Sequence, residues 1–252
     1  MRIGTPHILS LKRTLSMLEA VIADGGRSSL TVLACEIGMP LATAHRQVTT
    51  LVAEAYLSAS GKGRYVAGPR LLGLLHRLDE KQIIANVAAP ILHQLAARVR
   101  CVVQLGTFEN DMVTYRIKTG RGANDLFTRV GMQLEAYCSG IGKALLAHLP
   151  KDGREAYLSN GPFVSLTQHT IIEPDRLRQE LDTVCDQGYA IDDEEIVLGL
   201  WCLAVPLRKH NGNVLAAISV SRAVSTDERL SHSQLLGMLN EAARAIEREA
   251  FS

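Results

Sequence analysis

No hydrophobic run in this sequence is long enough to cross a membrane. Its 252 residues contain no stretch of roughly 18 consecutive apolar residues, the length that a membrane-spanning helix needs. Residues 1–10 also lack the apolar segment of a secretory signal. We therefore expect a cytoplasmic protein without a membrane partner.

Metal-binding and catalytic signatures are also missing. The five cysteines are odd in number and form no C-x-x-C pair, so we expect reduced thiols rather than disulfides or a zinc site. The histidines are scattered singly, and the motifs HExxH, GxSxG and GxGxxG and the EF-hand loop do not occur. The sequence thus predicts no metal, no cofactor and no enzymatic activity, although a catalytic pair that meets only in space leaves no such motif.

Charge is balanced over the whole chain but not along it. The sequence has 27 Lys and Arg against 26 Asp and Glu. Residues 1–78 hold nine Lys or Arg against four acidic residues, whereas residues 79–252 hold 18 against 22. A small basic unit joined to a larger acidic one favours a polyanionic partner for the first unit alone.

Two helices are predicted at the start of the basic unit. Ser10 is a candidate N-cap, and the apolar residues after it recur at helical spacing until the Gly25-Gly26 pair. A second, short helix is predicted from Thr31 to a turn at Gly38. The stripe expected to face the core of the first helix consists of Leu11, Leu15, Leu18 and Ile22.

A third helix follows Pro40 and presents a polar face. Its core side is predicted to consist of Ala44, Val48, Leu51 and Val52. Short, polar or cationic side chains on the opposite side suit entry into a DNA major groove. This predicted DNA-binding face consists of Ala42, Thr43, His45, Arg46, Thr49 and Thr50.

Two short strands around a glycine-rich tip come next. Residues 59–63 form the predicted tip, and Lys62 and Arg64 would contact phosphate or the minor groove from it. Helix, helix, helix and hairpin is the order of a winged helix-turn-helix domain. The periodicity alone leaves open a three-helix unit that never contacts DNA.

Six segments resemble the IclR family of bacterial transcriptional regulators, in family order and over nearly the whole chain. Residues 39–52 and 63–72 match its DNA-binding domain, with the sequences MPLATAHRQVTTLV and GRYVAGPRLL. Further matches are AYCSGIGKALLA at 136–147, GYAIDDEE with GLWCLAVP at 188–206, and AAISVS at 216–221. Two positions depart from the family pattern. Leu41 and Ala42 replace a usual cation before the recognition-helix Ser or Thr, and Trp201 replaces the usual Arg before the cysteine.

The resemblance implies an α+β protein with a winged helix-turn-helix domain, a linker helix and a GAF-like mixed α/β ligand-binding domain. We place these parts at residues 1–69, 70–84 and 85–252. Within the last part, Pro90 is expected to open a second helix, and strands at 101–107 and 112–118 flank hairpin-turn residues. Further helices are predicted at 139–148, 175–187 and 226–251.

Some residues of an effector pocket can be argued from the sequence. Ser219 and Ser221 lie two apart on a predicted strand, so both hydroxyls point to one face, where they suit a carboxylate or carbonyl. The segment 139–142 opens a helix and offers free backbone N–H groups. The family resemblance implies a pocket for small organic acids. Its residues would be Leu126, Leu134, Gly140, Ile141, Asp192, Leu200, Cys202, Ser219 and Ser221.

The predicted function is a DNA-binding transcriptional regulator whose operator binding responds to a small carboxylic acid. The resemblance implies homodimers through the N-terminal region and often homotetramers through the ligand domains. The alternative is a small-molecule-binding protein or an enzyme that uses the C-terminal pocket, with the N-terminal domain as an interaction module.

Overall fold

The computed structural model describes residues 7–224 and 230–251. Its contacts divide the chain into two units, residues 1–78 and 79–252. Within the described residues, every helix is too short or too polar to span a membrane. The proposed domain boundaries at residues 69 and 84 stay predictions.

The N-terminal unit is a winged helix-turn-helix domain, as predicted. Buried side chains from all three helices form its core, with Met17, Leu33 and Val48 among them. The two strands of the wing pair antiparallel. The elements are α1 (Leu9–Asp24), α2 (Leu30–Glu36), α3 (Leu41–Ala53), β1 (Leu57–Gly61), β2 (Arg64–Ala67) and α4 (Pro69–Leu75).

The predicted inner face of α1 is wrong for three of its four residues, whereas Leu18 packs against the core. Met17 and Val21 are fully buried, whereas Leu11, Leu15 and Ile22 of the predicted stripe are 55%, 49% and 43% exposed. The helix carries apolar residues on two faces, and periodicity cannot decide which one packs on α2 and α3. The helix also begins before Ser10, whose predicted role as N-cap falls to Ile8 without a side-chain cap.

The predicted linker helix over residues 70–84 is interrupted. Helix α4 ends at Leu75, and α5 (Glu80–Val99) begins after Asp79. The Asp79 carboxylate accepts hydrogen bonds from the backbone N–H groups of Lys81 and Gln82, at 2.9 and 3.3 Å, and so caps a new helix.

Pro90 does not open a second helix but lies inside α5. Apolar residues on both sides of Pro90 pack into one core, which keeps the helix continuous.

A six-stranded antiparallel sheet forms the centre of the C-terminal unit, with the strand order β5-β4-β3-β8-β7-β6. The predicted hairpin joins β3 to β4, and Asn110 and Asp111 at its turn have φ values of 51° and 62°. The strands are β3 (Val102–Glu109), β4 (Met112–Gly120), β5 (Gln133–Glu135), β6 (Ala190–Asp193), β7 (Leu200–Arg208) and β8 (Val214–Ala223).

Helices cover both faces of this sheet. Helix α5 and the C-terminal helix α9 (His232–Phe251) bury one face. The other face packs against α6 (Gly140–Leu146), α7 (Lys151–Leu158) and α8 (Pro174–Gln187). The mixed α/β domain predicted from the resemblance is therefore confirmed. Of the predicted helix at 226–251, residues 226–229 lie outside the described residues.

Candidate functional sites: a helical surface and a buried cavity

Helix α3 presents the predicted polar face to solvent. Its Ala44, Val48 and Leu51 are buried, which turns the opposite side of the helix outward. On that side Ala42, His45, Arg46, Thr49 and Thr50 are exposed, and Thr43 is half-buried. The Thr50 hydroxyl donates to the backbone carbonyl of Arg46 at 3.0 Å, so it is oriented along the helix.

The wing places two cations beside a sharp turn. Lys62 has a φ of 53° between Gly61 and Gly63, which have φ values of 90° and 69°. Glycine on both sides permits this left-handed run. Lys62 and Arg64 are both exposed. Cations at such a tip can contact phosphate oxygens.

Most of the predicted effector residues converge on one buried cavity in the C-terminal unit. Gly140, Ile141, Asp192, Leu200, Cys202, Ser219 and Ser221 all line it. Leu126 does not line the cavity but a wider groove beside it. Leu134 lies on β5 opposite Val113 and packs into the core beneath. Ser139, of the predicted segment 139–142, also lines the cavity. Sequence reasoning missed Gln104, Tyr115, Phe127 and Ile196, which complete the lining.

The two serines lie on the inner strand β8 and are each only 2% exposed. They therefore do not occupy a solvent-facing edge. Ser219 pairs with Gln104 of the neighbouring strand β3. The Ser221 hydroxyl donates to Oε1 of Gln104 at 3.3 Å, and Nε2 of Gln104 donates to the Thr128 hydroxyl at 2.8 Å. This chain of hydrogen bonds orients a polar floor inside the cavity.

Glycines bring the start of α6 close to the sheet. A Cβ atom on Gly140 would lie 3.5 Å from Cβ of Ala204 and 3.6 Å from Cβ of Cys202. A Cβ atom on Gly142 would lie 2.1 Å from the carbonyl oxygen of Ala136, closer than any side chain permits. The Ser139 hydroxyl accepts from the N–H of Gly142 at 3.1 Å, whereas the first helical N–H groups have no helical carbonyl to bind.

A buried ammonium and three carboxyl groups lie next to the cavity. Nζ of Lys143 is 2.5 Å from Oε1 of Glu195 and 2.9 Å from Oε1 of Glu180. Oδ1 of Asp192 accepts from the backbone N–H of Glu195 at 2.9 Å. Oε2 of Glu195 is buried without a hydrogen-bond partner among the described residues. Sequence reasoning missed this cluster, because Lys143 lies 37 residues from Glu180 and 52 residues from Glu195, so no local pattern relates them.

Burial dominates the protonation of this cluster. It raises the pKa of Asp192 to about 6 and that of Glu195 to about 7, although Lys143 opposes both shifts. Burial alone would lower the pKa of Lys143, but Glu195 and Glu180 raise it. One ammonium cannot balance three carboxylates, so we expect the cluster to carry a shared proton near neutral pH.

The cavity itself is small and has neutral donors. Its volume is about 10 Å³, close to that of one water molecule. Among the described residues that line it, none is Lys or Arg. Burial raises the pKa of the Tyr115 phenol and of the Cys202 thiol, so both stay protonated. Such a lining can hydrogen-bond a carboxylate without forming an ion pair.

Trp201, which departs from the family pattern, is paired with a cation on the adjacent strand. Trp201 on β7 lies opposite Arg222 on β8, and the guanidinium carbon is 4.6 Å from the centre of the indole ring. The His232 ring contacts the same indole edge-on, with centroids 5.9 Å apart. A positive charge is therefore present beside the position where the family resemblance leads us to expect one.

No group of three or more His, Cys, Asp or Glu residues in the described part of the chain could hold a metal ion.

Two family models match the chain. The IclR helix-turn-helix domain matches residues 10–60, and the C-terminal domain of the bacterial transcriptional regulator IclR matches residues 76–248. Together they cover most of the sequence.

Relatives of known name match over nearly their full length. The transcriptional repressor IclR of Escherichia coli is 28% identical over 96% of this chain and 90% of its own. The regulator KipR of Bacillus subtilis is 28% identical over 88% of this chain and 89% of its own. A crystal structure of an IclR homologue from Microbacterium hydrocarbonoxydans, complexed with 4-hydroxybenzoate, is 28% identical with a TM-score of 0.63. That alignment covers 96% of this chain and 98% of the homologue.

Proposed function

The chain belongs to the IclR family of DNA-binding bacterial transcriptional regulators, and we propose that a small organic acid bound in the effector cavity modulates its binding to operator DNA. One observation carries this proposal. Seven predicted effector residues, which lie far apart in the sequence, line the same buried cavity. The homologue with 4-hydroxybenzoate shows that a family member binds an aromatic acid.

The target of the N-terminal domain is double-stranded operator DNA. The exposed face of α3 carries Arg46, His45 and two threonines, which can form hydrogen bonds with base edges in the major groove. Lys62 and Arg64 add phosphate contacts from the wing. DNA as the target also supports a cytoplasmic location.

The effector is held by neutral groups. Ser219 and the first N–H groups of α6 supply donors for a carboxylate, and Ser221 supplies another once its hydroxyl turns away from Oε1 of Gln104. Ile141, Ile196 and Leu200 supply apolar walls. Because the cavity measures about 10 Å³, an acid of several carbons must displace side chains as it enters. This displacement of side chains is the means by which ligand binding changes the conformation of the domain.

An unpartnered apolar stripe on α1 supports a homodimer. Ile8, Leu11, Leu15 and Ile22 are between 43% and 67% exposed. Helix α4 and the residues after it expose Leu72, Leu75 and Leu78 as well. Apolar side chains in such number mark an interaction surface. Two copies of α3 would then reach two half-sites about 34 Å apart. Tetramers would form through the effector domains.

The effector acts through linkage. A ligand that binds one conformation better shifts the population of DNA-competent dimers by at most its differential affinity, commonly about 1 to 3 kcal/mol.

The test is a titration of the purified protein with its own upstream intergenic DNA at a fixed salt concentration, with and without a panel of small carboxylic acids. Salt is fixed because it sets the non-specific background. Specific binding that one acid changes by about fivefold or more is the expected result. No preference over random DNA would refute the proposal and favour the enzyme or binding-module alternative.

A further inference from the structure

A wide groove opens at the end of the sheet where β3 begins and β8 ends. Its volume is about 640 Å³, within the range of about 300 to 1,000 Å³ typical of small-molecule sites. The end of α5, the loop after β4, the loop before β7 and the end of β8 form its walls. We call it the arginine groove, after Arg100, Arg121 and Arg222 in its lining.

The arginine groove adjoins the effector cavity. Leu200 and Ser221 line both spaces. The partition between the groove and the cavity includes two consecutive residues. Leu126 lines the groove, and Phe127 lines the cavity. Nζ of Lys118 holds this partition by donating to the backbone carbonyls of Leu126, at 2.7 Å, and Thr128. A ligand too large for the cavity can therefore extend into the groove by displacing a few side chains.

The two spaces differ in charge. The described lining of the cavity has no cation and one carboxyl group, that of Asp192. The groove has the three arginines and the carboxylate of Asp125. Arg121 and Arg100 are exposed and form no ion pair or side-chain hydrogen bond among the described residues. Arg222 is held by the Trp201 ring and donates to the carbonyl of Leu230 at 3.5 Å.

We propose that the arginine groove binds a second anionic group of the effector, so that the effector class is a dicarboxylic acid. This inference rests on the proposed function for the first carboxyl group, which the hydrogen-bond donors of the cavity hold. The second carboxylate lies in the groove, where Arg121 donates charge-assisted hydrogen bonds to it. Leu126, Leu198 and Leu200 contact the apolar part of the ligand between the two acid groups.

Trp201 makes occupancy of the groove measurable. It is the only tryptophan in the sequence, and its ring stacks on Arg222 of the groove lining. The probes are three matched pairs of diacid and monoacid: succinate and butyrate, adipate and hexanoate, terephthalate and benzoate. In at least one pair we expect the diacid to change Trp201 emission saturably and to bind about tenfold more tightly than the monoacid. A monoacid that binds as tightly as the diacid in every pair would overturn the inference.

Variants locate the second anion. Arg121→Gln is expected to weaken binding of the preferred diacid about fivefold or more and to leave monoacid binding unchanged. Arg129→Gln is the matched control, since Arg129 is an exposed arginine on the same loop that does not line the groove. Equal effects of the two substitutions would contradict the inference.

The same probes separate this inference from the proposed function when DNA binding is measured beside fluorescence. If acids change DNA affinity without any preference for diacids, the function stands and the groove inference fails. If a diacid binds through Arg121 but no acid changes DNA affinity, the groove site stands and the proposed function fails.

Discussion

Nζ of Lys143 lies 2.5 Å from Oε1 of Glu195 in an environment where the two side chains are only 1% and 7% exposed. Lys143 lies on α6, two residues after Ile141 of the cavity, and Glu195 follows β6 three residues after Asp192. The ion pair therefore links α6, whose first residues line the cavity, to the segment that supplies the Asp192 carboxyl group. Removal of one partner from such a pair is costly, because a charge stays buried without compensation.

The contribution of Glu195 to the stability of the C-terminal unit should rise as pH falls from about 8 to about 5. Burial raises the pKa of Glu195 to about 7 from 4.5, so the folded state binds a proton that the unfolded state does not hold in this window. This contribution is fully present below pH 4.5 and is lost as pH rises through 7. Glu195→Gln should reduce the change in the free energy of unfolding between pH 5 and pH 8 by on the order of 1 to 3 kcal/mol.

Urea unfolding at pH 5 and pH 8, followed by Trp201 emission, measures this dependence. Glu180→Gln is the matched control, because Glu180 bonds to the same Lys143 but is partly exposed. An unchanged pH slope in Glu195→Gln would contradict the assignment.

Gly142 should tolerate no side chain. Its added Cβ would lie 2.1 Å from the carbonyl oxygen of Ala136, and backbone cannot move aside cheaply. Gly142→Ala is expected to lower the free energy of unfolding by about 3 kcal/mol. Gly153→Ala in α7, where a Cβ meets nothing within 4 Å, should raise it by about 0.5 kcal/mol. Urea unfolding measures the free energy of unfolding of both variants. Equal effects would show that the backbone of Ala136 does not exclude a side chain at Gly142.

Arg46 should read sequence, whereas Lys62 should bind phosphate. Arg46→Ala is expected to weaken operator binding by about 1 to 3 kcal/mol and non-specific binding by less. Lys62→Ala should weaken both alike and reduce the slope of log affinity against log salt by about 1. Fluorescence anisotropy over a salt series distinguishes them, with the exposed Lys151 of α7 changed to Ala as control. An equal loss on operator and random DNA for Arg46→Ala would make it a phosphate contact.

The exposed stripe of α1 should hold the dimer together. Leu15 is 49% exposed at the middle of this stripe, so Leu15→Arg should place a cation in the interface and shift the mass in light scattering toward the 27.4 kDa monomer. Val32→Arg changes a residue of similar exposure, 46%, on α2 outside the stripe and should leave the mass unchanged. A wild-type mass equal to one chain would refute the dimer itself.

The sequence allowed correct prediction of the fold, because local signals and family motifs agree along most of the chain. The order of three helices and a hairpin, the turn at Asn110 and Asp111 and the pairing of β3 with β4 needed only near-neighbour patterns. The inner face of α1 could not be predicted, since both of its faces are apolar and only packing on α2 and α3 decides between them. The linker bounds of 70–84 cross the gap between α4 and α5, although the composition changes after Leu78.

The cavity could be predicted only in part, because some of its residues come together only in the folded chain. Ser219 and Ser221 follow from the alternation of a strand, and Gly140 and Asp192 lie in family motifs. Gln104 belongs to β3, more than 100 residues before its partner Ser221 on β8, so no local pattern indicates it. The cluster around Lys143 needed the fold itself, because α6, α8 and β6 bring its members together.

The most direct test of the account compares ligand response in the wild-type protein and in the double variant Ser219→Ala and Ser221→Ala. Operator affinity is measured with and without the acid that alters the wild-type protein. Thr183→Ala serves as control, since this exposed hydroxyl lies on α8 and donates only to the carbonyl of Gln179. We predict that the double variant binds operator DNA as the wild type does but loses the response to the acid. A full response in the double variant would contradict the effector cavity.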